Sequence, residues 1–350
     1  MKKLAKWTPA IVAPVAVAAV AFGGPAIAAG SSQPTAESVE ELISLVESSA
    51  DAQYSGEVTQ SSDLGLPELP DTANGMYRGA IDDPSEAIAE LTAPHELRVF
   101  VGGPQQQRVQ VLDDLAERDV IRNGDEVWAW DSRENTAVQV TVPEHEGTPP
   151  TDVTRLTPAE LAQRFLDNVT PSTDVTLDSG TRVAGRNADL LVLDPQTDDT
   201  LVDSVAIAVD AETGVPLRVS VEASGVTAVE VEFTSIDYSA PDDSLFEFTP
   251  PAGAEVVTKT PSEGEDRERG DYPRPTVTGE DWTIIVESVA PAGALSGATG
   301  ESAELLDQLT TPVEGGRGVQ TTLFSVLLTD DGRMLTGAVP LDALVAAAAS

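Results

Sequence analysis

The residues of this chain that could do chemistry are its carboxylates and its two histidines, His95 and His145. His95-Glu96 and His145-Glu146 each begin like the H-E-x-x-H helix of a zinc hydrolase, in which two imidazoles on one helical face bind the metal. Neither has a second histidine at that offset, so both read as loop or strand-end residues. The adjacent acids Asp82-Asp83, Asp113-Asp114, Asp198-Asp199 and Asp242-Asp243 could chelate calcium or act as the acid and base of a glycosidase. None stands in the spaced Asp-x-Asp-x-Asp-Gly pattern of a calcium loop, and among 59 acidic residues such pairs arise by chance. They read as solvated turns. Asn168-Val169-Thr170 matches a glycosylation sequon at a helix end.

There is no cysteine, which excludes a disulfide scaffold, a thiolate zinc site and a thiol nucleophile. Phosphate-cradling glycine loops and the G-x-S-x-G nucleophile elbow are also missing. A carboxylate-based hydrolase would need an isolated acid in an apolar strand, and none stands out. The chain is therefore read as non-catalytic, with no metal and no cofactor. A balance of 59 acidic to 20 basic residues, net −39, supplies no basic face for nucleic acid. With 350 residues, 41% of them hydrophobic, the chain can bury a real core in one large domain or two modest ones. Aromatics make up only 4%, which weakens any carbohydrate platform. Trp128 and Trp130, two positions apart on one strand face, either pack in a core or line an apolar cavity on the covered face of a sheet.

The elements that must position these residues begin after a leader. Lys2, Lys3 and Lys6 precede an apolar stretch from Ala10 to Phe22, and Ala26-Ile27-Ala28 fits a small-x-small cleavage site. Residues 1–28 are expected to be a signal peptide, with an uncleaved membrane anchor as the alternative, and the protein to be secreted or held in the extracytoplasmic envelope. Loss of those three lysines moves the net charge from −39 to −42.

Residues 37–49 carry Leu42, Leu45 and Val46 on one helical stripe, with Thr35 or Ser38 as cap. From Tyr54 the period becomes two. Short strands are predicted at 57–59, 76–78, 97–101, 108–112, 119–122 and 127–130, with Asn123-Gly124 as the clearest turn. Thr157-Pro158-Ala159-Glu160 opens a second helix, near 157–169, with Leu161, Phe165, Leu166 and Val169 as its apolar face. Strands resume at 189–193, 204–209, 217–221 and 226–233. Leu217, Val219 and Val221 alternate with Arg218, Ser220 and Glu222, and Val229, Val231 and Phe233 with Glu230 and Glu232. That predicts a sheet with one apolar and one acidic face. Residues 258–279 read as an acidic, proline-containing linker. Beyond it, 280–350 reads as a small subdomain packed on the larger unit, with strands at 282–286, 321–328 and 334–339, a helix near 301–309 and a terminal helix from Leu341.

Several motifs along 37–257 resemble the LolA-type lipoprotein-carrier family. They are Pro94-His95-Glu96-Leu97-Arg98-Val99, and the hairpin from Val120 to Asp131 with its Trp128-Ala129-Trp130. Val183-Ala184-Gly185-Arg186 with Leu190 to Pro195, the D-x-x-T-G-x-P-x-R hairpin from Asp210 to Arg218, and Phe246-Glu247-Phe248-Thr249-Pro250-Pro251-Ala252-Gly253 complete the set. The last two are shared with RseB/MucB-type proteins. The resemblance departs at Ala93, where the carriers place arginine, and at 79–93, which looks like an insertion.

The resemblance implies an α+β fold: a curved antiparallel β half-barrel with helices on its concave face over 29–257, plus a small C-terminal α/β subdomain. It further implies that the concave face shelters acyl chains of a lipid or acylated lipoprotein. The residues expected to line that cavity are Leu97, Val99, Val109, Val111, Trp128, Trp130, Val219, Val221, Val229, Val231 and Phe233. Burying a methylene is worth about 0.8 kcal/mol, so such a carrier needs apolar volume more than polar contacts. Gly318 to Leu328 and Asp331 to Pro340 resemble the end of RseB/MucB-type regulators. That gives the alternative reading, an extracytoplasmic regulator that binds a membrane-bound anti-sigma factor. A transporter is the partner expected of a carrier, and the protein is expected to be a monomer.

Overall fold

The structure, a computed structural model, describes residues 35–66, 93–113, 116–141, 157–167, 169–259, 275–290 and 309–350. The expected leader, the strand at 76–78, all but the last residue of the insertion expected at 79–93, Asp82-Asp83, His145 and nearly all of the helix expected near 301–309 lie outside the described residues.

The two-residue alternation resolves into a large sheet of twelve strands. These are β1 (Tyr54–Ser62), β2 (His95–Gly103), β3 (Gln106–Asp113), β4 (Ala116–Asn123), β5 (Glu126–Asp131), β6 (Thr136–Thr141), β7 (Thr173–Val183), β8 (Arg186–Pro195), β9 (Ser204–Asp210), β10 (Pro216–Ala223), β11 (Val226–Asp237) and β12 (Glu255–Lys259). Their order is β12-β6-β5-β4-β3-β2-β1-β11-β10-β9-β8-β7. Each neighbouring pair is antiparallel except β12 with β6, which run parallel because the chain crosses one face of the sheet between β11 and β12. The sheet is large, curved and open rather than a closed barrel. Its curl is strong at one end. β7 comes within contact of β11 although three strands lie between them.

Two helices cover the inner face of that curl. Helix α1 (Val39–Ser48) is capped by Ser38, whose hydroxyl accepts from the Glu41 amide at 3.2 Å. The other cap candidate, Thr35, instead donates its amide to Asp189 Oδ1 at 2.8 Å. Helix α2 (Pro158–Leu166) has the reciprocal Thr157–Glu160 capping box. Leu42, Val46, Leu161 and Phe165 enter the main core. Val169 does not: it lies past the helix end and is 38% exposed, because the chain turns away there before β7. α1 lies closest to β7 and β8, and α2 to β10 and β11.

The expectation of one covered and one acidic face holds only in part. β9 and β10 are buried through both faces, and Arg218 and Ser220 are each only 7% exposed. Arg218 keeps an ion pair with Glu232 at 3.4 Å.

A second sheet follows, of β13 (Thr276–Thr278), β14 (Ile285–Val289), β15 (Thr311–Val313), β16 (Gly316–Gln320), β17 (Ser325–Thr329) and β18 (Arg333–Gly337) in the order β13-β14-β18-β17-β16-β15. Helix α3 (Leu341–Ala348) buries Leu344 against Ile285, Leu327 and Leu335. Trp282, expected to open a strand, sits in a short 3-10 turn, and the strand expected over 321–328 is broken at 321–324. Thr258, Lys259 and Thr276–Thr278, at the ends of the expected linker, belong to strands β12 and β13. Among the described residues, no helix is long and apolar enough to cross a membrane.

Candidate ligand-binding face

Strand register decides which side chains share a face, because directly opposed residues point the same way. Phe233 lies opposite Val58, Val58 opposite Leu97, and Leu97 opposite Val111, so one row runs across β11, β1, β2 and β3. Val99 lies opposite Val109, Val219 opposite Val231, and Val221 opposite Val229. Nine of the expected site residues thus fall on one face, the face that α1 and α2 cover, and all nine join a single apolar cluster. Gly56 makes room in it: a Cβ there would stand 2.8 Å from the Phe233 ring.

Trp128 and Trp130 are not among them. Val109 pairs with Val120 and Val120 with Ala129, which puts Ala129 on the inner face and both tryptophans on the outer one. There they form a separate cluster with Ile121 and Ala137 beneath the chain that crosses from β11 to β12. Phe248 of that crossing strap meets Trp128 at 5.3 Å and Trp130 at 6.1 Å between ring centroids. Arg108 donates to the Leu245 carbonyl at 3.2 Å while pairing with buried Asp119 at 2.6 Å. Burial pushes the Asp119 carboxyl up, and the Arg108 guanidinium works against that. The F-x-F-x-P-P-x-G motif is thus a clasp on the outside of the sheet.

The D-x-x-T-G-x-P-x-R hairpin builds a polar hub at one end of the large sheet. Asp210 accepts from Arg186 Nε at 2.7 Å and Nη2 at 3.1 Å, from the amides of Glu212 at 2.9 Å and Thr213 at 3.0 Å, and from the Tyr238 hydroxyl at 3.0 Å. Burial alone would raise its carboxyl. The guanidinium, both amides and the hydroxyl together hold it below the ordinary carboxylate range. The Arg186 guanidinium also lies 5.2 Å from the Tyr238 ring centroid. Tyr54, edge-on to Phe233 and Tyr238, has its hydroxyl pushed upward by burial and then by nearby Glu160 and Tyr238. Gly214, at φ +77°, lets this hairpin touch the last turn of α1: a Cβ would stand 2.1 Å from the Leu45 carbonyl oxygen. At the other end of α1, Asp189 accepts the Thr35 and Ala36 amides, each at 2.8 Å. His95 begins β2 and is buried.

The titratable groups of this region therefore cap, pair and dock. Among the described residues no group of three or more His, Asp or Glu is gathered to hold a metal. The arrangement is a long apolar face, buried beneath α1 and α2, on a sheet with one polar end. Two parts of it escaped the sequence: the Arg186–Asp210–Tyr238 hub, signalled only by the D-x-x-T-G motif, and the burial of Trp282, Leu323 and Phe324 in the same apolar cluster.

Residues 89–252 match the family model described as the MucB/RseB N-terminal domain. No curated protein matches the chain. Solved structures similar to it include the MucA/MucB complex of Pseudomonas aeruginosa, at 19% identity over 86% of this chain and 93% of that one, with a TM-score of 0.45. An uncharacterized conserved protein from Thermus thermophilus is 13% identical over 63% of this chain and 98% of that one, TM-score 0.37. A LolA superfamily protein from Nitrosomonas europaea is 8% identical over 61% and 99%, TM-score 0.27. The family match falls within the large unit and agrees with the RseB/MucB resemblance of the sequence motifs.

Proposed function

We propose that this chain is an exported, non-catalytic protein that shelters the acyl chains of a lipid or acylated lipoprotein against the inner face of its large sheet, as a carrier or an envelope lipid sensor. The observation that carries the reading is the single apolar row Phe233–Val58–Leu97–Val111, extended by Val99, Val109, Val219, Val221, Val229 and Val231. An acyl chain entering under the short helices α1 and α2 would exchange water for that surface at about 0.8 kcal/mol per methylene, before the cost of moving the cover. The test is native mass spectrometry of the protein purified from its own envelope. Co-purified acylated mass is the expected result. A consistently empty protein that also fails to bind fluorescent lipid probes overturns the reading.

A second reading, an extracytoplasmic regulator that binds a membrane-bound anti-sigma factor, is favoured by the MucB/RseB match over 89–252 and by the small sheet that follows it. MucB itself is solved in complex with MucA(peri). The two readings differ in what the protein retains. Affinity capture from its own cells with a membrane-bound anti-sigma factor would support the second, and loss of that partner on adding lipid would join them.

A further inference from the structure

We propose that the small C-terminal sheet is the end wall of the acyl-binding space, and that Trp282, Leu323 and Phe324 set the length of apolar chain it accepts. The inference rests on the acyl-binding reading above. Antiparallel order puts the end of β1, the end of β8, the start of β9 and the start of β7 at one end of the curled sheet. The small unit is fastened across that end. Trp282 Nε1 donates to Thr173 Oγ1 at 2.8 Å, and Ser172 donates its hydroxyl to Asp281 at 2.6 Å. The Thr200 hydroxyl and the Leu201 amide both donate to the Ala338 carbonyl at 2.8 Å, and the Thr322 amide donates to the Leu64 carbonyl at 3.0 Å. Trp282, Leu323 and Phe324 are buried and belong to the same apolar cluster as the nine inner-face residues, although they come from the other sheet.

The opposite end has different chemistry. Arg186 and Asp210, at the start of β8 and the end of β9, form the polar hub with Tyr238 there. An amphiphile lying along the strands would therefore keep its head toward the hub and press its tail on the wall. The seven residues of β9 span about 20 Å between the two ends, at about 3.3 Å per residue.

The test uses the mature full chain and displacement of a fluorescent fatty acid by saturated fatty acids of eight to twenty carbons. Wild type is expected to gain about fourfold in affinity per added methylene until the tail meets the wall, and then to stop gaining. In Trp282→Leu and Phe324→Ala the break moves to longer chains. Leu323→Ala keeps the test open if either of those fails to fold, as judged by thermal melting. A break at the same length in wild type and every folded variant overturns the end wall and leaves the acyl-binding reading standing. A wild type that binds no chain of any length overturns both.

Discussion

At the residue scale, Asp210 and Trp128 carry different burdens. Asp210 is fully buried and its partner Arg186 is 31% exposed, so Arg186→Ala strands a carboxylate inside the protein. A fully buried pair broken this way costs about 3–5 kcal/mol, and partial solvation of Arg186 puts the expected loss nearer 2 kcal/mol in a denaturant titration. The sign of the pH effect follows from the lowered carboxyl of Asp210. Its stabilising contribution is complete above the ordinary carboxylate range and fades as pH falls through the folded value. Wild type should therefore lose more stability than Asp210→Asn between neutral and strongly acidic pH, and equal losses would remove Asp210 from the account. Trp128 and Val231 sit on opposite faces, so their replacements should separate. Trp128→Ala empties part of the outer clasp, at about 3 kcal/mol of stability, and leaves lipid-probe affinity intact in the folded fraction. Val231→Asp puts a charge on the inner face and should abolish probe binding or folding. The sequence could not assign these faces. In Val127-Trp128-Ala129-Trp130 both alternating sets are apolar, so the pattern says strand without saying which side is in. Register against Val109 and Val120 settles it.

At the element scale, α1 is held at both ends by backbone contacts that no propensity rule anticipates. Asp189 receives the amides that precede it, and Gly214 abuts its last turn. Gly214→Ala puts a Cβ against the Leu45 carbonyl and forces a side chain into a left-handed backbone. Hydrogen exchange is expected to show lost protection in 39–48 with β9 and β10 still protected; unchanged protection of α1 would contradict the docking role. Both helices of the large unit were legible because their caps are local, Ser38 to Glu41 and Thr157 to Glu160. Strands β2 to β5 and β8 to β11 were legible because they alternate or run apolar. β6, β7 and β12 were not. Thr136–Thr141 and Thr173–Val183 are rich in polar residues and take their strand state from paired neighbours, and β12 depends on a crossing strap that no local signal announces. Trp282 failed as a strand residue for a related reason. Gly279 and the positive φ of Asp281 turn the chain there, and the indole is spent on Thr173 of the other sheet.

At the scale of the whole molecule, acidity and apolar patterning do separate jobs. A net charge of −39, spread along the chain, repels itself across the fold. Adding salt should raise the melting temperature of the mature chain, since screening weakens that repulsion. A melting temperature that is flat or falls with salt would show that the acids are individually paired. On the proposed lipid-binding reading, the same charge would repel anionic headgroups, so the inner face would have to hold the lipid. The two sheets follow one another along the chain, the large one first. That the small sheet closes one end of the large one was not legible in the sequence, because Thr173, Leu64 and Ala338 are brought together only by the tertiary fold. The most direct test of the central claim is photo-crosslinking of the mature chain with a diazirine-bearing fatty acid, followed by peptide mass mapping. Adducts are predicted on the inward-facing residues of 97–111 and 217–233. Adducts confined to the outer clasp around Trp128, Trp130 and Phe248, or none anywhere, would contradict it.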